Sequence, residues 1–146
     1  MQDFTTLPKV TVTRDTSVPA AAIWKVLSDL PALADWAPGI DAADVTSETT
    51  SGLGATRAVT TAQFGVIVHE VTHWIENQHF AYVTADSGPF SRTFTSYEVS
   101  EDAVSVTLSF EVKPGAMEVE QAQAVLNKGL TATLQALELR ARMAMA

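Results

Sequence analysis

Apolar and polar residues alternate along most of this chain, and the alternation gives way to a helical period at two places only. Lys9-Val10-Thr11-Val12-Thr13-Arg14 alternates as a half-buried strand does. Ser17-Val18-Pro19 ends it, with Ser17 a plausible N-cap and the proline near the first helical position. Ala20 to Leu30 is then helical, with Ile23, Trp24 and Leu27 on one face. Pro31 interrupts it, and Pro31 to Trp36 reads as a second short helix closed by Ala37-Pro38-Gly39. Strands are expected over Ile40–Thr46, Ala55–Thr61, Gly65–Ile75, Phe80–Ala85, Arg92–Val99 and Ala103–Lys113. The last of these alternates most strictly, with Val104, Val106, Leu108, Phe110 and Val112 on one side. Gly52-Leu53-Gly54, Glu76-Asn77-Gln78, Asp86-Ser87-Gly88-Pro89 and Ser100-Glu101-Asp102 are the breaks between them. After Pro114-Gly115, one long helix is expected from about Met117 to about Met143, striped by Leu126, Leu130, Leu134 and Leu137.

The order predicts an α+β fold: one strand, two short helices, six strands and a long closing helix. A meander joined by tight turns curves into a sheet with one apolar face. The striped helix must bury its stripe, and the concave face is the large partner available. Space left between them is a candidate ligand pocket.

Composition narrows the function. The 146 residues are 47% hydrophobic and 18% charged, which suits a single core-forming domain over residues 1–146. The formal net charge of -8 argues against nucleic-acid binding and against anionic membrane surfaces. The absence of cysteine removes disulfides, thiolate catalysis and Cys-ligated metals. No run approaches a membrane span, and Met1-Gln2-Asp3-Phe4 lacks a signal pattern, so a soluble cytoplasmic protein is expected. No Gly-x-Ser-x-Gly elbow, phosphate loop or dinucleotide fingerprint occurs, and no cofactor is expected.

Several segments carry a resemblance. Val18-Pro19-Ala20-Ala21-Ala22-Ile23-Trp24-Lys25-Val26-Leu27-Ser28-Asp29 resembles the opening helix of the START/Bet v 1-like (SRPBCC) superfamily, in its polyketide cyclase/dehydrase branch. Leu33-Ala34-Asp35-Trp36-Ala37-Pro38-Gly39-Ile40 is similar to the Trp-x-Pro-Gly segment that follows it, and Val71-Thr72-His73-Trp74, the Gly88-Pro89-Phe90 break and the closing helix also fit. The resemblance implies a helix-grip fold: a curved antiparallel sheet of about seven strands around a long C-terminal helix. It also implies a cavity for a hydrophobic or aromatic small molecule, with two readings open: polyketide-type cyclisation or dehydration by proton transfer, or a non-catalytic carrier or sensor of a lipid, quinone or aromatic metabolite. Members of the branch often carry Glu two residues before the Val of Val-Thr-x-Trp; His69 stands there, so a carboxylate role does not carry over.

The candidate catalytic residues are His69, His73 and Tyr97. On a regular strand His69 and His73 share a face with Ile67, Val71 and Ile75, while Val66, Val68, Glu70, Thr72 and Trp74 take the other. The first face is expected inward, since it spares Glu70 from burial. Two inward imidazoles suit proton transfer to or from a phenol, enol or hydroxyl. Their α-carbons lie about 13 Å apart in a regular strand, too far for a shared metal, and no metal site is expected. Tyr97 shares an inward face with Thr93, Thr95 and Val99, and Tyr82 shares one with Phe80 and Thr84. Trp36, Arg57, Val71, Tyr82, Thr95, Leu126 and Leu130 are the candidate ligand contacts. Trp36 either walls the cavity mouth or anchors its short helix. Arg57 facing outward, the favoured reading, is an ordinary surface charge; facing inward, it is a buried cation that requires a partner.

Overall fold

The computed structural model describes residues 4–145. Its strands are β1 (Lys9–Asp15), β2 (Ile40–Val45), β3 (Thr56–Thr61), β4 (Gly65–Ile75), β5 (His79–Ser87), β6 (Phe90–Val99) and β7 (Ala103–Val112). They form one antiparallel sheet in the order β1-β7-β6-β5-β4-β3-β2. The first strand therefore closes beside the last, and every other neighbour is a hairpin partner. The expected strands are all present.

The helices follow the expected order with shifted ends. Helix α1 spans Ala20–Leu27, and a 3-10 helix spans Leu30–Asp35 with Pro31 in its first turn. Helix α1 is capped at Ser28, and Asp29, at φ -83° and ψ 84°, leaves the helical path before the 3-10 helix begins. The cap residue of α1 is Pro19 rather than Ser17, and no side chain caps it. Instead the Thr16 hydroxyl accepts the Val18 amide at 3.1 Å and orders the approach. Helix α2 spans Val119–Met145.

The core forms where α2 lies across β1 and β7 and against α1. Ala122, Leu130, Leu134, Leu137 and Ala141 of α2 are buried against Val104, Val106 and Phe110 of β7 and Ile23, Trp24 and Leu27 of α1. Arg14 of β1 and Glu138 of α2 pair at 3.2 Å and tie the helix to the sheet edge. At the opposite edge the 3-10 helix packs on β2, with Leu33, Ala43 and Val59 in a small second cluster. The inner face of β3 to β6 lies between these two supports.

Three irregularities interrupt the ladders, in β2 between Ile40 and Ala42, in β4 between Val71 and His73, and in β6 between Phe90 and Arg92. The one in β4 matters most. Val71 pairs with Tyr82, but His73 pairs with Ala81, so one residue, Thr72, is extra. An extra residue reverses side-chain parity beyond it. His69 and Val71 face inward as expected, but the expected inward placement of His73 and Ile75 is corrected: both are exposed. Trp74, expected outward, turns in and meets Trp24 edge-on at 5.2 Å.

Candidate functional site

The concave face carries an unusual density of buried polar side chains. Arg57, His69, Thr84, Thr93 and Thr95 are all below one-tenth exposed, and Tyr97 is buried among them. Each sits where strand alternation puts it. Arg57 follows Ala55 and precedes Val59 on one side of β3, and both neighbours are fully buried. Register places Arg57 opposite His69, and Tyr82 opposite both Val71 and Thr95 on its two sides. The favoured outward reading of Arg57 is therefore corrected: its side chain is 3% exposed and points into the molecule.

Arg57 is held by two acceptors. Its Nε donates to His69 Nδ1 at 3.1 Å, and its Nη1 donates to the Leu30 carbonyl at 3.1 Å. The guanidinium also lies 5.6 Å from the Tyr82 ring centroid and 5.8 Å from that of Phe80, within cation–π range. His69 stacks on Tyr82 at 3.9 Å between centroids. Phe80 stacks on Tyr82 and on Tyr97 at 5.6 and 6.2 Å. Thr95 hydrogen-bonds the Tyr82 phenol, and Thr84 bonds Thr93 at 2.5 Å.

Burial and charge fix the protonation states. Burial, and then the Arg57 charge, hold the His69 imidazole well below its ordinary range, so the ring is neutral at neutral pH. Nδ1 accepts from Arg57, so the single ring proton sits on Nε2. His69 therefore offers a donor to the interior and not a basic nitrogen. Burial pushes the phenols of Tyr82 and Tyr97 up, so both remain protonated. Burial also lowers the Arg57 pKa, opposed by the nearby phenol oxygens, yet guanidinium starts high enough to stay charged.

Arg57 Nη2, His69 Nε2 and Tyr97 Oη have no hydrogen-bond partner among the described residues. Elsewhere Arg14 Nε and Trp36 Nε1 are sealed in the interior without a partner among the described residues. Unmade bonds at such atoms are costly unless something polar reaches them. Among the described residues no group of three or more His, Cys, Asp or Glu is placed to hold a metal.

The structure thus gathers Arg57, His69, Tyr82, Thr95 and Tyr97 of the expected residues, with Val71 beside them on β4. Leu130 is buried in the main core cluster and Leu126 is half-buried against it, both on α2. Two candidates lie elsewhere. His73 is on the outer face, where its ring meets Phe94 edge-on at 5.7 Å. Trp36 is half-buried and lines a separate hollow of ≈ 320 Å³ with Val26, Ala141 and Met145, between α1 and the end of α2. Sequence reasoning missed the Leu30 carbonyl, which no side-chain pattern reveals. It also missed Arg57's orientation, although Ala55 and Val59 on the same parity signalled it.

A family model described as polyketide cyclase/dehydrase and lipid transport matches residues 8–142. The chain belongs to this family. No match was found among curated proteins. Solved structures of similar fold include a START superfamily protein from Mycobacterium smegmatis, 18% identical with a TM-score of 0.78, covering 92% of this chain and 97% of that one. The Zhui aromatase/cyclase from Streptomyces sp. R1128 is 17% identical with a TM-score of 0.77, covering 96% of each chain. Ara h 8.0201 is 18% identical with a TM-score of 0.71, covering 94% of this chain and 99% of that one. At these identities the likeness is one of fold, and this polyketide cyclase/dehydrase and lipid transport family member adopts the helix-grip architecture. No helix among the described residues is long and apolar enough to cross a membrane.

Proposed function

We propose that the protein binds a hydrophobic or aromatic small molecule carrying a carbonyl or enol oxygen at the inner face of β3 to β6, on the side toward α2. The observation that carries this reading is the buried Arg57–His69 pair, which sits on the inner face beside the rings of Phe80 and Tyr82. Arg57 and His69 supply polar contacts on this face, Tyr97 adds a hydroxyl beyond Phe80, and Phe80, Tyr82, Val71 and Leu130 supply apolar walls. Such a site orients its guest by a few polar contacts in an otherwise apolar lining. The family description and the aromatase/cyclase of similar fold support this guest class.

A second reading is catalytic: cyclisation or dehydration of a flexible poly-carbonyl chain. The same donors would stabilise the enolate oxygen as charge develops, and the walls would hold one folded conformer. His69 would act as an oxyanion donor rather than as the base, because its free nitrogen is already protonated. The observation favouring simple binding is that His69, Tyr82 and Tyr97 are all held in their neutral forms.

The test is a fluorescence titration with an aromatic 1,3-diketone as probe, followed by product analysis after prolonged incubation. Binding is expected in the native protein. It should weaken by about tenfold or more in Arg57→Met, the loss expected for one charged hydrogen bond. Unchanged affinity in folded Arg57→Met and Tyr97→Phe variants would refute the site. Turnover of the probe decides between the two readings.

A further inference from the structure

The extra residue in β4 turns His73 onto the outer face, and His79 stands on that same face one strand over. Their rings are 5.5 Å apart between centroids. We propose that His73 and His79 form a surface site for a borderline divalent transition metal, of the Zn²⁺ or Cu²⁺ class. Each ring is already oriented through one nitrogen. His73 Nδ1 bonds the Thr72 hydroxyl at 2.9 Å, and His79 Nε2 bonds the Ser96 hydroxyl at 2.7 Å. This leaves His73 Nε2 and His79 Nδ1 as the ligating nitrogens. The hydrogen bond behind each imidazole aims the ring, and when the free nitrogen ligates a metal the other nitrogen carries the proton and donates it to the hydroxyl, as in established histidine metal sites.

The spacing suits one ion. With metal–nitrogen bonds of about 2.0–2.1 Å, an ion sits roughly 3.2 Å from each ring centroid, so two rings sharing it can be up to roughly 6.4 Å apart. The observed separation of 5.5 Å falls inside that span, so one ion bridging the two free nitrogens would take a bent N–metal–N arrangement. Phe94 abuts the His73 ring and limits its rotation. Glu98 pairs with His79 across the β5–β6 ladder, is exposed on the same face, and adds negative charge beside the pair. With two protein nitrogens, water completes the coordination sphere. Imidazole nitrogens favour Cu²⁺ and Zn²⁺ over Mg²⁺ or Ca²⁺. His69 takes no part, since it is buried on the opposite face.

Isothermal titration of the metal-free protein with ZnCl₂ is expected to show saturable one-to-one binding, with no heat from MgCl₂. His73→Ala and His79→Ala should each lower affinity by more than tenfold. Ser96→Ala, which keeps both ligands but releases the ring behind one, should lower it by about tenfold. Electron paramagnetic resonance of the Cu²⁺-loaded protein should show two nitrogen ligands, and one in each single variant. All three positions lie on the outer face, and circular dichroism verifies that the variants are folded. The proposal is overturned if Zn²⁺ does not bind, or if binding survives in the His73→Ala/His79→Ala double variant.

Discussion

Arg57 holds its cluster together by donating to a side chain and a backbone carbonyl at once, so its loss has two separable effects. The first is electrostatic. In Arg57→Met the imidazole of His69 loses the smaller of the two causes that depress it and keeps the larger, its burial. Its midpoint in a ¹³C NMR titration should therefore rise but stay below the ordinary histidine value; an unmoved midpoint would contradict the contact. The second effect is structural, because His69 Nδ1 and the Leu30 carbonyl are left without a donor. Tyr97 poses the opposite case. Its hydroxyl lies in the interior without a partner among the described residues, so Tyr97→Phe should leave the urea-unfolding free energy within about 1 kcal/mol of native. A loss of ligand affinity without a loss of stability would mark the hydroxyl as facing the guest. The apolar neighbours of Arg57 on its own strand were visible in the sequence, but its acceptors were not. One is a carbonyl from a helix 27 positions earlier in the chain, and only the folded register brings it near.

At the scale of elements, alternation and turn residues located every strand, because strict period-two patterning and Gly/Pro punctuation are local signals. The β4 ladder shift was not local. Nothing in Val71-Thr72-His73-Trp74 distinguishes a regular strand from one with an extra residue. The shift is decided by what each parity finds across the molecule: Trp74 turned inward meets Trp24 and Phe80, at 5.2 and 5.6 Å. Burying an indole outweighs burying an imidazole, so the strand bulges and His73 goes out. The β5–β6 turn shows the converse, a feature whose residue requirement is local and strong. Gly88 has φ of 57°, and a β-carbon there would overlap the Phe64 ring. Gly88→Ala combines left-handed strain of about 1–2 kcal/mol with displacement of Phe64. A lowered melting temperature is the expected result, measured by calorimetry. Phe64→Ala in the same background should recover part of it, since the overlap is then gone.

For the molecule as a whole, the concave polar cluster makes stability depend on pH in a window set by His69. Its folded-state pKa lies well below the ordinary 6.5, chiefly through burial. In the unfolded chain the ring takes up a proton as pH falls through 6.5, while in the folded protein it does not. The unfolded state then binds more protons, so the stability that is fully present above this pH declines on acidification. The decline is at most about 1.4 kcal/mol per pH unit, and it continues until the folded-state value is reached. Glu138 and Glu111 are shifted down by hydrogen bonds, from Thr16 and from Ser91 in turn, and their contributions are lost only at pH near or below the ordinary carboxylate value of 4.5. The two windows are distinct, which allows the histidine's part to be isolated. His69→Gln keeps an acceptor for Arg57 Nε but does not titrate. Urea unfolding at intervals from pH 8 to 5 should show the native protein losing stability below pH 6.5 and the variant running flatter through the same interval. Parallel curves would mean that the imidazole is protonated as readily in the folded interior as in water, and the neutral donor assigned to His69 would fall with that result.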